Sequence, residues 1–455
     1  MRRCAIFVTE LKTYKTAPTI RAGINPLNSL MRAEKPIRVA ALVDLPRSPE
    51  AGGHVKCWER LAEAAADADL PLDLTVYFSG RNRTEVLGPG ARLAHLPPLF
   101  STAQLKFLPY VPDHTDLAPY HPRLARELGA YDVIHTTDAF FAFAKTAEGV
   151  SRRRGIPLTT SLHTDTPSYT RIFTRQTIEA RFGASWPAKK LIDDWQLPER
   201  QGRRMDQRLV QHLRRCAFVA ATRAEDHALA ESILGRSRVS HLRLGVDKRL
   251  FGPHRADRAR IEAELGLPAD HILVLFVGRL DVGKNIHTLV DAIATLRAEG
   301  LPLHLITAGV GPAEADIREK LGSAATIAGF VQPCELARLY ASVDLVALSS
   351  EVEIRSMVGV EAMASGCPVL VSKKSGVAEL FENTPAMRVV DSGAQAWADA
   401  LRQTAACASL RAGMRAAALD YSRRQLAPWR EVLDEDLFSL WREAAQVAAP
   451  AELIA

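Results

Sequence analysis

Paired cysteines are missing. The six in 455 residues, Cys4, Cys57, Cys216, Cys334, Cys367 and Cys407, are widely scattered, with no Cys-x-x-Cys and no Cys/His cluster at zinc spacing. That pattern excludes a disulfide framework and fits buried thiols in a reduced, cytosolic compartment. Long apolar runs are also missing. No stretch approaches the ~20 residues of a membrane span, and the N-terminus carries charges but no apolar core of signal type. No Gly-Lys-Ser/Thr closes a glycine-rich loop, so a Walker-type phosphate cradle is excluded. The two Asp-x-Asp pairs, Asp67/Asp69 and Asp434/Asp436, fall at the end of one helical pattern and inside another.

What is present is a hydrophobic content of 47%, enough for full cores, in a length that predicts two domains. Charge is unevenly spread. The net is +6, but residues 151–215 hold 14 Lys or Arg against 6 Asp or Glu, a local +8. Such a region suits an anionic partner such as lipid headgroups, or forms solvated helix faces. Residues 1–35, with Pro18, Gly23 and Pro26 and no period, predict an irregular arm. Met31 is a second candidate start.

Along the rest of the chain, apolar runs alternate with helical periods, the pattern of parallel α/β architecture. Ile37–Val43 reads as a strand, Gly52-Gly53 as a turn that lets backbone N–H groups approach a phosphate, and 55–68 as a helix. Leu72–Phe78, Ala91–Leu96, Tyr131–Thr136, Ile156–His163 and Ala217–Ala221 read as further strands. His135 and His163 stand at strand ends, as core histidines or as site residues. Residues 166–215 read as a helical insertion broken near Gly183, Pro187 and Pro198. In the second half, Ile272–Val277 runs into Gly278-Arg279-Leu280-Asp281-Val282-Gly283-Lys284-Asn285, which brings a guanidinium fork and an ammonium to one strand mouth. Leu303–Ala308 and Thr326–Phe330 follow.

The densest signal is Leu348–Leu380, LSSEVEIRSMVGVEAMASGCPVLVSKKSGVAEL. Glu353 follows the strand Asp344–Leu348. Seven residues on, Glu361 opens a helical pattern, Val360–Ala364, that ends at Gly366 before the strand Cys367–Val371. A strand–loop–helix–strand unit puts its loop and helix N-terminus at the ligand-binding edge of an open sheet, where free N–H groups favour a phosphate.

This run resembles the E-x7-E region of retaining glycosyltransferases of family 4, which have the GT-B fold. EAMASGCPV matches the pattern closely, while Ile354, Arg355 and Ser356 stand where Gly, Phe and Gly are common. The resemblance extends to the Gly278–Asn285 run, to Thr326–Phe330, to Ser375–Glu379 and to the junction around Asp247, Phe251 and Pro253, where Leu244 replaces an Asn. His163-Thr164-Asp165 with Tyr169 resembles a branch that glycosylates lipids.

The resemblance implies an α/β GT-B fold of two facing Rossmann-like domains. The expected domains are an acceptor domain at 36–245 with the insertion 166–215, a donor domain at 246–425, and a crossing helix and tail at 426–455. It implies transfer of a sugar from a nucleotide diphosphate sugar to an acceptor hydroxyl, lipid-linked or glycan, with retention and no metal or other cofactor. Catalytic roles fall to Glu353, Arg279, Lys284 and His163. Donor binding falls to Gly52, Gly53, Gly278, Arg279, Lys284, Gly329, Phe330, Val331, Glu353 and Glu361. Placement is expected to be cytoplasmic, peripheral at the inner face of the membrane, with Ile172, Phe173, Ile178 and Phe182 among the basic residues of the insertion. No nucleic-acid partner is expected. A sugar-nucleotide epimerase of the same fold, and a non-catalytic sugar-nucleotide-binding scaffold, are the alternatives.

Overall fold

The computed structural model describes residues 35–49, 51–105, 114–268, 270–381 and 384–447. The arm expected at the start and the end of the tail lie outside them.

Two sheets organise the chain. The first contains β1 (Ile37–Pro46), β2 (Leu72–Ser79), β3 (Arg83–Gly88), β4 (Ala91–Leu96), β5 (Val133–Thr136), β6 (Leu158–Ser161), β7 (Phe218–Ala221) and β8 (Val239–His241), in the order β3-β4-β2-β1-β5-β6-β7-β8. Only β3 is antiparallel. The second contains β9 (Ile272–Val277), β10 (Leu303–Ala308), β11 (Ala325–Ile327), β12 (Leu345–Leu348), β13 (Val369–Ser372) and β14 (Met387–Val390), all parallel, in the order β11-β10-β9-β12-β13-β14. The central strands are apolar on both faces, Val39 to Val43 and Leu273 to Phe276 being buried, because helices cover both sides of a parallel sheet.

Strand order reverses beside β1 in the first sheet and beside β9 in the second. Such a switch point leaves a crevice outside the carboxyl ends of the strands. The two crevices share one cleft of about 1380 Å³, lined from both halves of the chain.

The C-terminal segment returns to the first domain. One continuous helical rod, Trp429–Glu431, a π-helical stretch Val432–Phe438 and Ser439–Gln446, buries Trp429, Leu433, Leu437 and Trp441 in the core formed with Trp58 and Leu61. Arg243 fastens it with ion pairs to Glu431, Glu435 and Asp436.

Several boundaries differ from the sequence reading. β3 (RTEVLG) was not expected: it is an edge strand with mostly polar side chains, so it shows no apolar period. β8 ends at His241. Beyond it the backbone turns to pair with the C-terminal crossing, Val246 N donating to Ala427 O. The helix expected at 55–68 is Gly53–Ala66, starting at the second glycine of the pair. The helix expected at Val360 begins at Met357, because the Ser356 side chain caps it by accepting from Gly359 N. Glu361 therefore lies in its second turn.

Candidate active site

From the second sheet, β9 delivers Gly278, Arg279 and Lys284. Gly278 has φ +143°, and the chain after β10 passes so close that a Cβ on Gly309 would lie 2.0 Å from Gly278 O. The close approach requires glycine at 309, and the positive φ favours it at 278. Asp281 then organises the loop: it accepts from Lys284 N at 2.9 Å and from Arg279 Nε at 3.0 Å.

Lys284 Nζ lies 3.1 Å from Glu353 Oε2, the latter carried by the loop after β12. Burial disfavours the ammonium, but the Glu353 carboxylate and the Tyr169 ring oxygen more than offset this and hold Lys284 above its ordinary pKa. Two expected donor-binding residues, carried by different loops, are thus joined.

Glu361 accepts from Tyr340 Oη at 3.2 Å. Burial pushes its carboxyl up to about 8, against the lowering effect of that hydrogen bond. Gly329 has φ +65°, and its carbonyl accepts from Gly309 N at 2.7 Å. Phe330 and Val331 follow on the cleft wall, Phe330 being 38% exposed. Of the expected site residues, Gly329 alone is absent from the cleft lining.

The first sheet supplies the opposite wall. Gly52 is the N-cap of the helix Gly53–Ala66. A Cβ on Gly52 would lie 3.9 Å from Arg279 Nη1, and one on Gly53 would lie 3.3 Å from Met357 Cγ. The glycine pair therefore brings backbone to the mouth of the second sheet. Tyr169 closes over Gly283, 3.3 Å from where a Cβ would stand, and stacks on Phe173. Asp165 caps the helix Thr166–Phe182 by accepting from Ser168 N.

His163 lines the cleft with both ring nitrogens engaged. Its Nε2 is 2.6 Å from Ser161 Oγ, and its Nδ1 accepts from Arg355 Nη1 at 3.1 Å. Burial, then neighbouring His54 and Arg355, hold its pKa well below the ordinary value, so it is neutral. His135 is a core histidine, bonded to Thr159, Ser161 and Trp441.

Sequence reasoning passed over four cleft residues. Asp44 and Asp138 stand at the carboxyl ends of β1 and β5, both with pKa raised by burial. Their position at the switch point was the available signal. His54 and Arg355 were the other two. Arg355 was visible only as a departure from a pattern.

Two Rossmann-like domains facing across such a cleft define a GT-B protein. Over nearly its whole length the chain superposes on sucrose-phosphate synthase from Thermosynechococcus elongatus (TM-score 0.64, 20% identity, 90% of this chain and 98% of that one). It also superposes on Anabaena Alr3699/HepE solved with UDP and glucose (TM-score 0.59, 18% identity, 89% and 99%).

Residues 257–420 match the family described as Glycosyl transferases group 1. The chain has the two-domain GT-B fold, and its second domain is similar to glycosyl transferases of group 1. It is similar to D-inositol 3-phosphate glycosyltransferase of Nocardioides sp. (27% identity, 71% of this chain and 70% of that one). It is also similar to sulfoquinovosyl transferase SQD2 of Arabidopsis thaliana (29%, 57% and 46%). A third relative is GDP-mannose-dependent alpha-(1-6)-phosphatidylinositol dimannoside mannosyltransferase of Mycobacterium tuberculosis (32%, 35% and 40%). The chain thus spans less than half the length of the latter two.

Proposed function

We propose that the protein transfers a sugar from a nucleotide diphosphate sugar to an acceptor hydroxyl with retention. Residues 36–245 would hold the acceptor and 246–425 the donor. The observation that carries this reading is the convergence of Arg279, Lys284, Glu353 and the N-terminus of the helix Met357–Ala364 on one cleft wall, facing Gly52-Gly53. The two cations and the helix N-terminus meet the charge that develops on the departing diphosphate, the chief electrostatic need of the step. They take the part a metal would otherwise play. Glu361 accepts from ribose hydroxyls, and the backbone at Gly329–Val331 borders the base. Glu353 holds the donor sugar and steadies the oxocarbenium, while Lys284 moves from Glu353 to the phosphate. His163 acts by position, holding Arg355.

Solved neighbours with UDP and the names of the relatives support the donor class. Incubating the full chain with a panel of nucleotide sugars, with and without an acceptor pool, tests it. Acceptor-dependent release of nucleoside diphosphate is expected. Epimerised donor without acceptor, or donor binding with no turnover, would replace this reading with one of the alternatives.

We infer in addition that the acceptor is lipid-linked or met at a cytoplasmic membrane face. Among the described residues no helix is long and apolar enough to cross a membrane. Phe173 and Ile178, which the sequence offered for lipid contact, face the cleft. The exposed aromatics are instead Phe182 (44%), Trp186 (71%) and Trp195 (51%), at the tip of the insertion, with Lys190 over both tryptophan rings. Aromatic rings beside cations suit the headgroup layer.

A further inference from the structure

The three residues that depart from the family pattern after Glu353 have distinct places. Ile354 is buried, and Ser356 caps the following helix. Arg355 reaches back into the first domain. Its Nη1 donates to His163 Nδ1 at 3.1 Å and its Nη2 to Arg243 O at 2.8 Å. Both acceptors are neutral. Among the described residues no carboxylate lies within ion-pair distance of this guanidinium; Asp436, in the same neighbourhood, is committed to Arg243. Arg355 Nε is buried and has no partner, and the same is true of His54 Nε2. The His54 ring stacks on His163 at 4.5 Å, and His54, His163 and Arg355 all line the cleft.

A guanidinium withdrawn from water without a counter-charge is costly, and so is each buried donor left unpaired. Two such atoms, one from the helix Gly53–Ala66 and one from the loop after β12, border the same cleft and call for an anionic partner. A planar fork beside an imidazole in its Nε2–H tautomer matches the oxygens of a phosphate. In the proposed function Arg279 and Lys284 serve the donor diphosphate from the second sheet, whereas the surroundings of Arg355 come from the helix after β1 and the loops after β6 and β8.

We propose that Arg355 and His54 form a subsite for a phosphate group carried by the acceptor, as a soluble monoester or as a lipid diester, distinct from the donor diphosphate site. The inference rests on the transferase reading.

The test is calorimetric titration of the full chain, saturated with whichever nucleoside diphosphate it binds. The probes are glycerol 3-phosphate, a short-chain phosphatidylglycerol and plain glycerol. One phosphate is expected to bind about tenfold or more tighter than glycerol, a gain of the size charge-assisted bonds give. Arg355→Met should abolish that preference and Arg355→Lys should keep part of it, with nucleotide affinity within about twofold of wild type. Preference for the diester assigns a lipid headgroup, and preference for the monoester a soluble acceptor.

Equal binding of all three probes by wild type overturns the proposal, whether or not a variant folds. So does a preference that survives in Arg355→Met, or a loss of nucleotide affinity alone, which would give the arginine to the donor. Absence of any nucleoside diphosphate binding would sink the transferase reading, and the acceptor subsite with it. Nucleotide binding without phosphate preference sinks only the subsite.

Discussion

Lys284 Nζ and Glu353 Oε2 meet at 3.1 Å beside the switch point of the second sheet, each side chain less than a fifth exposed. The pair ties the loop after β9 to the loop after β12. It also explains how the cleft tolerates a largely buried cation and a largely buried carboxylate side by side.

Arg279→Ala and Lys284→Met are each expected to lower turnover about 100-fold or more, the scale of losing one donor to a developing oxyanion. Both should also cost stability. Arg279→Ala takes the guanidinium from buried Asp281. Lys284→Met leaves Glu353 unpaired, and its cost should fall at the lower end of the roughly 3–5 kcal/mol for breaking a buried pair. Adding Glu353→Gln should recover part of that stability. Thermal melts of the single and double variants check it; a simple sum of the single effects would count against the pairing.

Glu353→Gln should chiefly harm turnover, and Glu361→Gln should chiefly weaken binding of free nucleoside diphosphate. Glu361 also sets a pH dependence. Its folded pKa of about 8 lies above the ordinary carboxyl value, so the protonated form stabilises the fold. That contribution is full below about 4.5 and is lost as pH rises toward 8. With ribose hydroxyls donating to the ionised form, as proposed, nucleotide affinity should rise with pH up to about 8, with proton release on binding. Calorimetry in buffers of different ionisation enthalpy measures this, and Glu361→Gln should remove the dependence. A wild type with no proton release would contradict the assigned role.

Gly245→Ala tests the crossing helix. A Cβ there would fall 2.5 Å from the Trp429 ring. Overpacking of this kind costs about 1–3 kcal/mol, and the melting temperature should drop accordingly. An unchanged melt would mean that the Trp429 contact gives way freely.

Vesicle co-sedimentation tests the aromatic tip. Binding to anionic vesicles is expected at low salt and should fade as salt screens the charge. Trp186→Ser with Trp195→Ser should weaken it by about tenfold or more, whereas Phe173→Ala should not, since Phe173 faces the cleft. Equal binding by wild type and the double variant would remove the tip from the interface.

By itself the sequence determined the alternation of buried strands and helices, the turn glycines, and the residues that gather at the mouth of the second sheet. Those features are local: apolar runs, a strand leading into Gly278-Arg279, a carboxylate before a helix. Glu353 and Glu361 were legible because their spacing is set within one strand–loop–helix unit. Only the tertiary structure decided what depends on distant segments meeting. The Lys284–Glu353 pair joins two loops that are neighbours only through strand order. Glu361 owes its raised pKa to burial beside Tyr340, which no spacing encodes. Which aromatics face solvent on the insertion depends on how the helices Thr166–Phe182 and Leu197–Leu213 pack. Arg355 read as an anomaly in a line of residues; only the folded chain sets its guanidinium beside His54 and His163, with charge unpaired, because the domains that carry them close over one cleft.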